Sequence, residues 1–297
     1  MALLALMALL PTLAFAYELE PRSYANLPVG MNFLGIGGIY QTGDVATDPS
    51  AVLEDASVDG FMPVVAYARA LDLWGRSGKV DVIATYSCLE GSAVAMGIGY
   101  ERDVCGFGDP SIKLSVNLFG APAMRLAELR EYQQDLIFGV GLRLGAPLGE
   151  YDADKLLNPG TNRWTIRPEA GLSRSIGRWT LEAIGSATFY TENEEAFGGV
   201  RREQEPVYTL QGHLIYSFRP GAWVALDVNR YEGGRTETDG RKGDDLQRNS
   251  RWGLTFAVPL NPQHSIKLAV SKGVVVRAGG DFEMFTAVWQ YRWGGGL

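Results

Sequence analysis

The sequence predicts an all-β protein, a transmembrane antiparallel β-barrel of about 12 strands that is of the outer-membrane type. Three observations predict this fold class. Apolar residues recur at every second position over long segments, aromatic residues lie near the ends of those segments, and short connections alternate with long ones. A strand with this period has one apolar face and one polar or small face. If the strand is long enough to cross a bilayer, its apolar face meets lipid.

The alternating segments are longer than the strands of most globular proteins. Residues 136–145 read LIFGVGLRLG, in which large apolar residues at even positions alternate mostly with Gly and Arg. Comparable alternation occurs at 112–118, 179–189, 208–218, 252–258 and 285–293. Most of the predicted strands are about 10 to 14 residues long, which exceeds the usual roughly 5 to 6. They match the roughly 9 to 11 that a tilted strand needs to span lipid.

Aromatic side chains are concentrated at the ends of these segments. Trp179, Phe189, Trp252 and Trp293 are examples. Outer-membrane barrels carry aromatic girdles at both membrane interfaces, whereas a soluble β-sandwich distributes its aromatic residues through a core. The aromatic positions therefore favour the membrane barrel.

Twelve strands account for the alternating segments. They are predicted at 29–43, 58–74, 79–90, 108–119, 133–146, 163–176, 178–191, 206–219, 222–233, 249–259, 263–276 and 281–293. Tight turns are predicted at 74–79, 175–178, 219–222 and 260–263, and long polar loops at 44–57, 89–107, 147–162, 192–205 and 233–248. Short periplasmic turns and long extracellular loops are the usual asymmetry of such barrels. An even strand number places both termini in the periplasm.

The N-terminal residues predict export. Residues 1–16 (MALLALMALLPTLAFA) form an apolar run that ends in a small-x-small pattern, which is typical of a secretory signal peptide. An anchor helix is the alternative, which the short length and Pro11 disfavour. We therefore expect a signal peptide at 1–16, a barrel domain at 17–297 and a location in the bacterial cell outer membrane. In an oxidising compartment, Cys88 and Cys105 either form one disulfide or remain two thiols, and the sequence leaves both open.

The composition restricts the classes of function and of partner. Hydrophobic residues make up 46% and the mean hydropathy is −0.04, values that a barrel reaches by averaging an apolar outside with a polar lumen and polar loops. The net charge of −7 argues against nucleic acid as a partner. With two histidines and two cysteines in the chain, we expect no cofactor and no metal site. The expected partners are outer-membrane lipid, the barrel insertion machinery and a small-molecule solute.

Glycine is unusually frequent, with 37 of 297 residues against a usual share of roughly 7%. Part of this excess is assigned to the tight turns. The rest is assigned to small inward positions on the strands, such as Gly139, Gly171 and Gly253. Small inward residues ease strand bending and leave room in the lumen.

Charged residues on the predicted strands are assigned to the lumen, because a charge on the lipid face costs about 2 to 4 kcal/mol at the midplane. The predicted lumen-lining charges are Arg69, Asp81, Lys113, Arg143, Arg163, Arg167, Glu169, Glu182, Asp227, Arg251, Lys267 and Arg292. Eight are basic and four are acidic, a bias that suits anionic or polarisable solutes. Two interpretations remain open: the charges line a water-filled pore, or they pair and plug the barrel. Similarly, Arg163, Arg167 and Glu169 form either an ion-pair ladder or a constriction.

A barrel enzyme is the rival class of function. A lipid-modifying enzyme needs a histidine beside a serine on the lipid-facing side. We expect His213 to point inward as a hydrogen-bonding residue of the lumen, and His264 to lie in a periplasmic turn. The motifs G-x-S-x-G and H-E-x-x-H do not occur in the sequence. Asp239, Asp244 and Asp245 lack the spacing of an EF-hand. The sequence therefore predicts no catalytic residues and a protein that is not an enzyme.

Several short motifs are shared with a known family. They are YANLPVG at 24–30, Tyr67 with LWGR at 73–76, GFGDP at 106–110, YD at 151–152, LNPGTNRW at 157–164, RPE at 167–169, QEP at 204–206 and QYRW at 290–293. Through these the chain resembles an outer-membrane transporter family associated with the MetA pathway of phenol degradation. The stretch from Asn158 to Glu169 is the most specific part, and the resemblance covers nearly the whole mature chain.

The resemblance implies an outer-membrane barrel that acts as a channel for small, often hydrophobic solutes. It supplies no catalytic or binding residues to transfer to this chain. One departure from outer-membrane barrels in general is that Trp293, the final aromatic residue, is followed by Gly-Gly-Gly-Leu. We therefore predict a channel for passive uptake of small organic solutes, aromatic ones among them. The alternatives are a plugged structural or adhesive barrel and, after that, a barrel-embedded lipid-modifying enzyme.

Overall fold

A computed structural model of the chain describes residues 19–46, 53–95, 97–219 and 221–297. The predicted signal peptide at 1–16 lies outside the described residues and stays a prediction. The described ranges contain strands β1 (Met31–Ala46), β2 (Leu53–Leu73), β3 (Arg76–Ala95), β4 (Ile98–Phe107), β5 (Ser111–Phe119), β6 (Leu136–Gly145), β7 (Thr165–Ile176), β8 (Trp179–Tyr190), β9 (Asn193–Ala196), β10 (Val200–Gln204), β11 (Val207–Arg219), β12 (Ala222–Gly233), β13 (Thr236–Thr238), β14 (Arg241–Lys242), β15 (Gln247–Pro259), β16 (His264–Val275) and β17 (Gly279–Gly294). One short helix, α1 (Leu126–Leu129), lies between β5 and β6.

Twelve of these strands close into one antiparallel barrel within the described residues. Their order around the wall is β1, β2, β3, β5, β6, β7, β8, β11, β12, β15, β16 and β17, and β1 pairs with β17 to close it. The predicted fold class and strand number are therefore confirmed. Closure pairs the backbone groups of every wall strand on both sides, as a barrel in lipid requires.

The predicted loop at 89–107 is wrong, because most of it forms a β-hairpin. Strand β3 continues beyond the barrel wall. Its residues 78–83 pair with β5, and its residues 86–95 pair with β4. Cys88 and Cys105 are directly opposite in this hairpin and are joined by a disulfide. Pro110, which has no N–H to donate, follows β4 and separates it from β5.

The predicted loops at 192–205 and 233–248 also contain strands. They form a small extracellular sheet in the order β14, β13, β10 and β9. Asp245, in the connection between β14 and β15, ties that connection to β13, since its carboxylate accepts hydrogen bonds from the Thr236 N–H at 2.9 Å and the Thr236 hydroxyl at 2.6 Å. Asp244 pairs with Arg277 at 2.8 Å. The Asp239 carboxylate accepts a hydrogen bond from the Arg201 N–H at 3.1 Å, so all three loop aspartates have local structural partners.

The outer surface of the barrel is apolar and rimmed by aromatic rings. Leu114, Leu181 and Val228 are each half exposed on it, as expected for side chains that face lipid. At the periplasmic end, His264, Trp289, Tyr291 and Trp293 form a stacked row with centroid separations of 5.0 to 6.3 Å. His264 therefore begins β16 as part of the outer aromatic girdle.

No helix among the described residues is long and apolar enough to cross a membrane.

Candidate functional site

An N-terminal segment, residues 19–30, lies inside the barrel. It enters from the periplasmic end, where the Val29 N–H donates to the Met124 carbonyl, and it ends beside β15. There a methyl group added to Gly253 would lie 2.4 Å from a methyl carbon of Leu19. The predicted inward glycines are thus explained by the segment that they accommodate, and the room that they leave is already occupied.

Tyr24 is the central side chain of the N-terminal segment. Its ring lies over Gly139 and Gly171, where an added Cβ would approach the ring to 2.1 and 2.4 Å. Its hydroxyl donates a 2.8 Å hydrogen bond to Glu169, and its carbonyl accepts one of 3.1 Å from Asn117. Only a residue without a side chain lets an aromatic ring lie this close to a strand.

A buried ion cluster surrounds Glu20, near the beginning of the N-terminal segment. Glu20 accepts a 2.7 Å contact from Lys113 and a shorter one from Arg143. Lys113 also contacts Glu169 at 2.7 Å, and the side chains of both are 1% exposed. Arg167 reaches the same Glu169 at 4.0 Å. Removing one partner of a buried pair typically costs about 3 to 5 kcal/mol, because the other charge is left buried without its partner, so the docked position of the segment depends on Glu20.

Further predicted lumen residues continue this polar lining. The backbone N–H of Arg22 donates to Glu182 at 2.6 Å. His213 Nδ1 lies 2.7 Å from Asp227, whose other oxygen accepts from the Thr255 hydroxyl at 2.7 Å. Arg251 donates to Ser271 at 3.0 Å. These contacts run around β5, β6, β7, β8, β11, β12 and β15, which we call the polar sector.

The remaining five wall strands, β16, β17, β1, β2 and β3, form a different surface that we call the apolar sector. Its inward face includes apolar side chains that line an open chamber of about 1470 Å³ between this sector and the N-terminal segment. The apolar lining is Phe33, Ile39, Met62, Val64, Ile83, Met284 and Val288. The two-residue period assigns the apolar residues of the strands to lipid, so this inward apolar wall was not predicted. The signal was present at 61–66 (FMPVVA), where both faces of β2 are apolar or small.

The chamber reaches both ends of the barrel. Its lining includes Gly177 and Gly221, which belong to periplasmic turns, and Tyr151 and Phe197, which belong to extracellular connections. A cavity that is lined by residues of both rims is the geometry that a solute path needs.

Four of the predicted lumen charges lie on strands of the apolar sector, and one of them, Arg69, does not face the lumen. Asp81 faces the chamber and pairs with Lys79 at 3.1 Å. Lys267 and Arg292 also line the chamber, and Arg292 Nε donates to the Pro262 carbonyl at 2.5 Å. Arg69 instead is exposed on the outside.

The error at Arg69 has a simple cause. Its neighbours Ala68 and Ala70 occupy the inward side of β2, so the two-residue period turns Arg69 outward. Arg69 pairs with Asn32, the second residue of β1, close to the periplasmic end. Near the interface an outward charge costs only about 0 to 1 kcal/mol, so the midplane penalty does not apply.

Arg163 and Arg202 line the chamber at its extracellular mouth, outside the membrane-spanning strands. The Arg163 guanidinium lies 4.2 Å from the centroid of the Tyr190 ring and donates to Gln204. Burial, assisted by repulsion from Arg202, lowers the pKa of Arg163 to about 10. Arg163 thus contacts Tyr190 and Gln204, whereas Arg167 contacts Glu169. This arrangement favours the pairing interpretation over a constriction formed by the three charges.

Two separate sequence motifs meet at Asp109. Its carboxylate accepts hydrogen bonds from the N–H groups of Gly149 and Thr161, both at 2.9 Å, and from the Thr161 hydroxyl at 2.5 Å. The GFGDP motif therefore anchors the NPGTNRW motif and holds the connection 146–164 inside the mouth. Both motifs are visible in the sequence, but their contact was not predicted, because it joins residues 40 to 52 positions apart.

Comparison with known proteins agrees with this architecture. A family model described as "Putative MetA-pathway of phenol degradation" matches residues 32–291. The COG4313 outer membrane channel from Pseudomonas putida F1 superposes with a TM-score of 0.79 at 22% identity, over 93% of this chain and 100% of that one. None of the curated proteins compared matches this chain.

Two autotransporter barrels are more distant. The transport unit of AIDA-I from Escherichia coli gives a TM-score of 0.52 at 9% identity, over 93% of both chains. The beta domain of the Bordetella autotransporter Brka also gives 0.52, at 10% identity, over 89% of this chain and 100% of that one. At such identities the likeness concerns the barrel fold.

Proposed function

Since this chain belongs to the family described as "Putative MetA-pathway of phenol degradation", we propose that it is an outer-membrane channel for passive uptake of small organic solutes, aromatic ones among them. The observation that carries the proposal is the chamber of about 1470 Å³, which is lined by residues of both rims. The match to an outer-membrane channel of Pseudomonas putida F1 supports the fold on which the proposal depends. Its immediate surroundings would be outer-membrane lipid, reached through the barrel insertion machinery.

The apolar wall favours solutes with apolar surface. The interior of a water-filled porin is polar, whereas Ile39, Val64 and Val288 face the chamber here. Apolar surface in contact with water costs about 25 cal/mol per Å². A solute that covers this wall with a ring or short chain recovers part of that free energy, and a purely polar solute does not.

A plugged barrel is the second candidate, and a specific observation favours it. The N-terminal segment fills the polar sector and is held by the buried contacts of Glu20 with Lys113 and Arg143. The chamber lies beside the segment, so we place the solute path between the segment and the apolar sector.

An enzymatic role is less well supported by the two histidines. His213 has a fully buried side chain that is bonded to Asp227 inside the barrel. His264 stacks on Trp289 and Tyr291 on the outer girdle. We therefore propose transport without covalent chemistry.

Single-channel recording in planar lipid bilayers tests the proposal. The full chain is expected to give small, stepwise conductance. A variant that lacks residues 19–27 should give larger steps, because the polar sector is then open. Heat-modifiable migration on gels shows that each protein is folded. A folded, heat-modifiable full-length barrel that never conducts would contradict the channel and favour the plugged barrel.

A further inference from the structure

We propose that the chamber selects small organic anions, namely carboxylates with an apolar ring or short chain, over neutral molecules of the same shape. This inference rests on the proposed channel function and names its class of solute. It is carried by the charges that line the chamber and by their position next to the apolar wall.

The charge of the chamber lining is opposite to that of the whole protein. The chain carries a net charge of −7, yet the described residues that line the chamber include eight basic side chains and three acidic ones. A cleft of one sign with walls of low dielectric constant concentrates ions of the other sign. The lining therefore attracts anions although the protein as a whole is acidic.

Each of the three acidic side chains already has a structural partner. Glu20 is bonded to Lys113 and Arg143 in the ion cluster. Asp81 is paired with Lys79, and Asp109 accepts the hydrogen bonds that anchor Thr161. Arg143 and Lys79 are themselves two of the eight basic side chains. The positive excess therefore comes from the other six basic side chains, against which Asp109 remains among the described acidic residues of the lining.

Lys267 is the cation best placed to meet a solute. It faces the chamber from β16, directly opposite Val288 on β17. Within the part of the chain that the structure describes, its ammonium has no ion-pair partner. A solute can therefore lay an apolar body on Val288 and direct a carboxylate to Lys267.

A second cation lies opposite an apolar side chain nearer the periplasm. Arg292 faces the chamber from β17, directly opposite Phe33 on β1. Val288 and Arg292 are four positions apart, which is about 13 Å along a strand. Lys267 and Arg292 thus act in series rather than on one carboxylate. Several weak sites in series allow a solute to bind and still leave.

The extracellular mouth completes the series. Arg163 and Arg202 line the chamber there, so cations lie at its entrance as well as towards its exit. Arg163 is held against Tyr190, which fixes the guanidinium in place. An organic anion therefore meets positive charge on entering, apolar surface in the middle and positive charge again before leaving.

Planar bilayer recording on the full chain tests this inference with benzoate and benzamide, which have similar shapes and differ in charge. In a KCl gradient the reversal potential should give a higher permeability for chloride than for potassium. Added benzoate should interrupt the current in a concentration-dependent way, and benzamide at the same concentration should not. Lys267→Gln should raise the benzoate concentration for half-block about fivefold, as expected for the loss of roughly 1 kcal/mol of contact. Lys267→Glu should abolish the block.

The matched control is Lys272→Gln on the same strand. Lys272 is exposed on the outside of the barrel and pairs with Glu283, so its loss should change neither the block nor the reversal potential. Equal block by benzamide and benzoate, no block by either in a conducting channel, or a preference for potassium would each overturn the anion inference while the channel stands. A folded barrel that is silent under all conditions would overturn the channel function and the anion inference together.

Discussion

The hydroxyl of Tyr24 donates a 2.8 Å hydrogen bond to Glu169, across 145 positions of the sequence. The N-terminal segment is thereby joined to the middle of the barrel wall. The same carboxylate contacts Lys113, so the aromatic ring, the wall and the ion cluster form one unit.

Gly171→Ala should loosen the N-terminal segment. The new Cβ would lie 2.4 Å from the Tyr24 ring, a distance at which ring or strand must move. We expect a folded barrel with larger single-channel conductance and faster fluctuations. Gly185→Ala is the matched control, because an added Cβ there meets no atom within 4 Å. If both variants conduct like the parent, the segment does not limit the path.

Glu20→Gln should weaken the docking of the segment from its other end. The substitution removes the charge that Lys113 and Arg143 share. Lys113 keeps its contact with Glu169, so the cost should be smaller than the roughly 3 to 5 kcal/mol that is typical when a buried charge loses its partner altogether. We expect increased cleavage within residues 19–30 by a protease added at the periplasmic side of proteoliposomes. Glu205→Gln is the control, since Glu205 makes an exposed pair with Lys242 that contributes roughly 0 to 1 kcal/mol. Unchanged cleavage of the Glu20 variant would mean that the cluster does not hold the segment.

Asp109→Asn should release the connection 146–164 from the mouth. The amide can accept fewer of the three hydrogen bonds now made to the carboxylate, and charge-assisted bonds contribute roughly 1.5 to 3 kcal/mol each. We expect a lower Tm in detergent and earlier proteolysis at this connection. Asp154→Asn, in the same connection and exposed, should change neither. Parental protease resistance in the Asp109 variant would contradict the anchoring role.

Reduction of the Cys88–Cys105 disulfide should destabilise the β3–β4 hairpin and leave the barrel closed. A loop of 17 residues corresponds to about 3 kcal/mol in the unfolded-chain model. We expect new proteolytic sites near the hairpin tip after treatment with reductant, with unchanged heat-modifiable migration. The Cys88→Ser variant should behave as the reduced protein does without reductant. Loss of heat-modifiable folding in either would show that the hairpin is needed for the barrel itself.

The barrel wall was predictable from the sequence because lipid imposes a period of two on every strand that it touches. Leu114, Leu181 and Leu254 follow that period and are exposed on the outer surface. The assignment of charged residues to the lumen failed at Arg69, because the cost of an outward charge at the midplane does not hold at the end of a strand. The assignment of apolar residues to lipid failed in β2, where Met62 and Val64 face the chamber.

The N-terminal segment could not be predicted in the same way. Residues 19–30 have no strand period, and their polar partners, such as Lys113, Glu182 and Gln211, lie 93 to 191 positions away. Charge complementarity across such separations depends on register, which the local pattern does not contain. The inward glycines were visible, but the ring of Tyr24 that explains two of them was not.

The path of the N-terminal segment also constrains the order of assembly. Its docking site is made by β5 to β8, β11 and β15, all of which follow it in the chain, and the strand directly after it, β1, pairs with the last strand. The segment therefore cannot reach its docked position until most of the wall strands have formed. The wall closes when β1, the strand that follows the segment, pairs with β17. Ring closure and insertion of the segment become one late step, with a high entropic cost because the contacts are so distant in sequence.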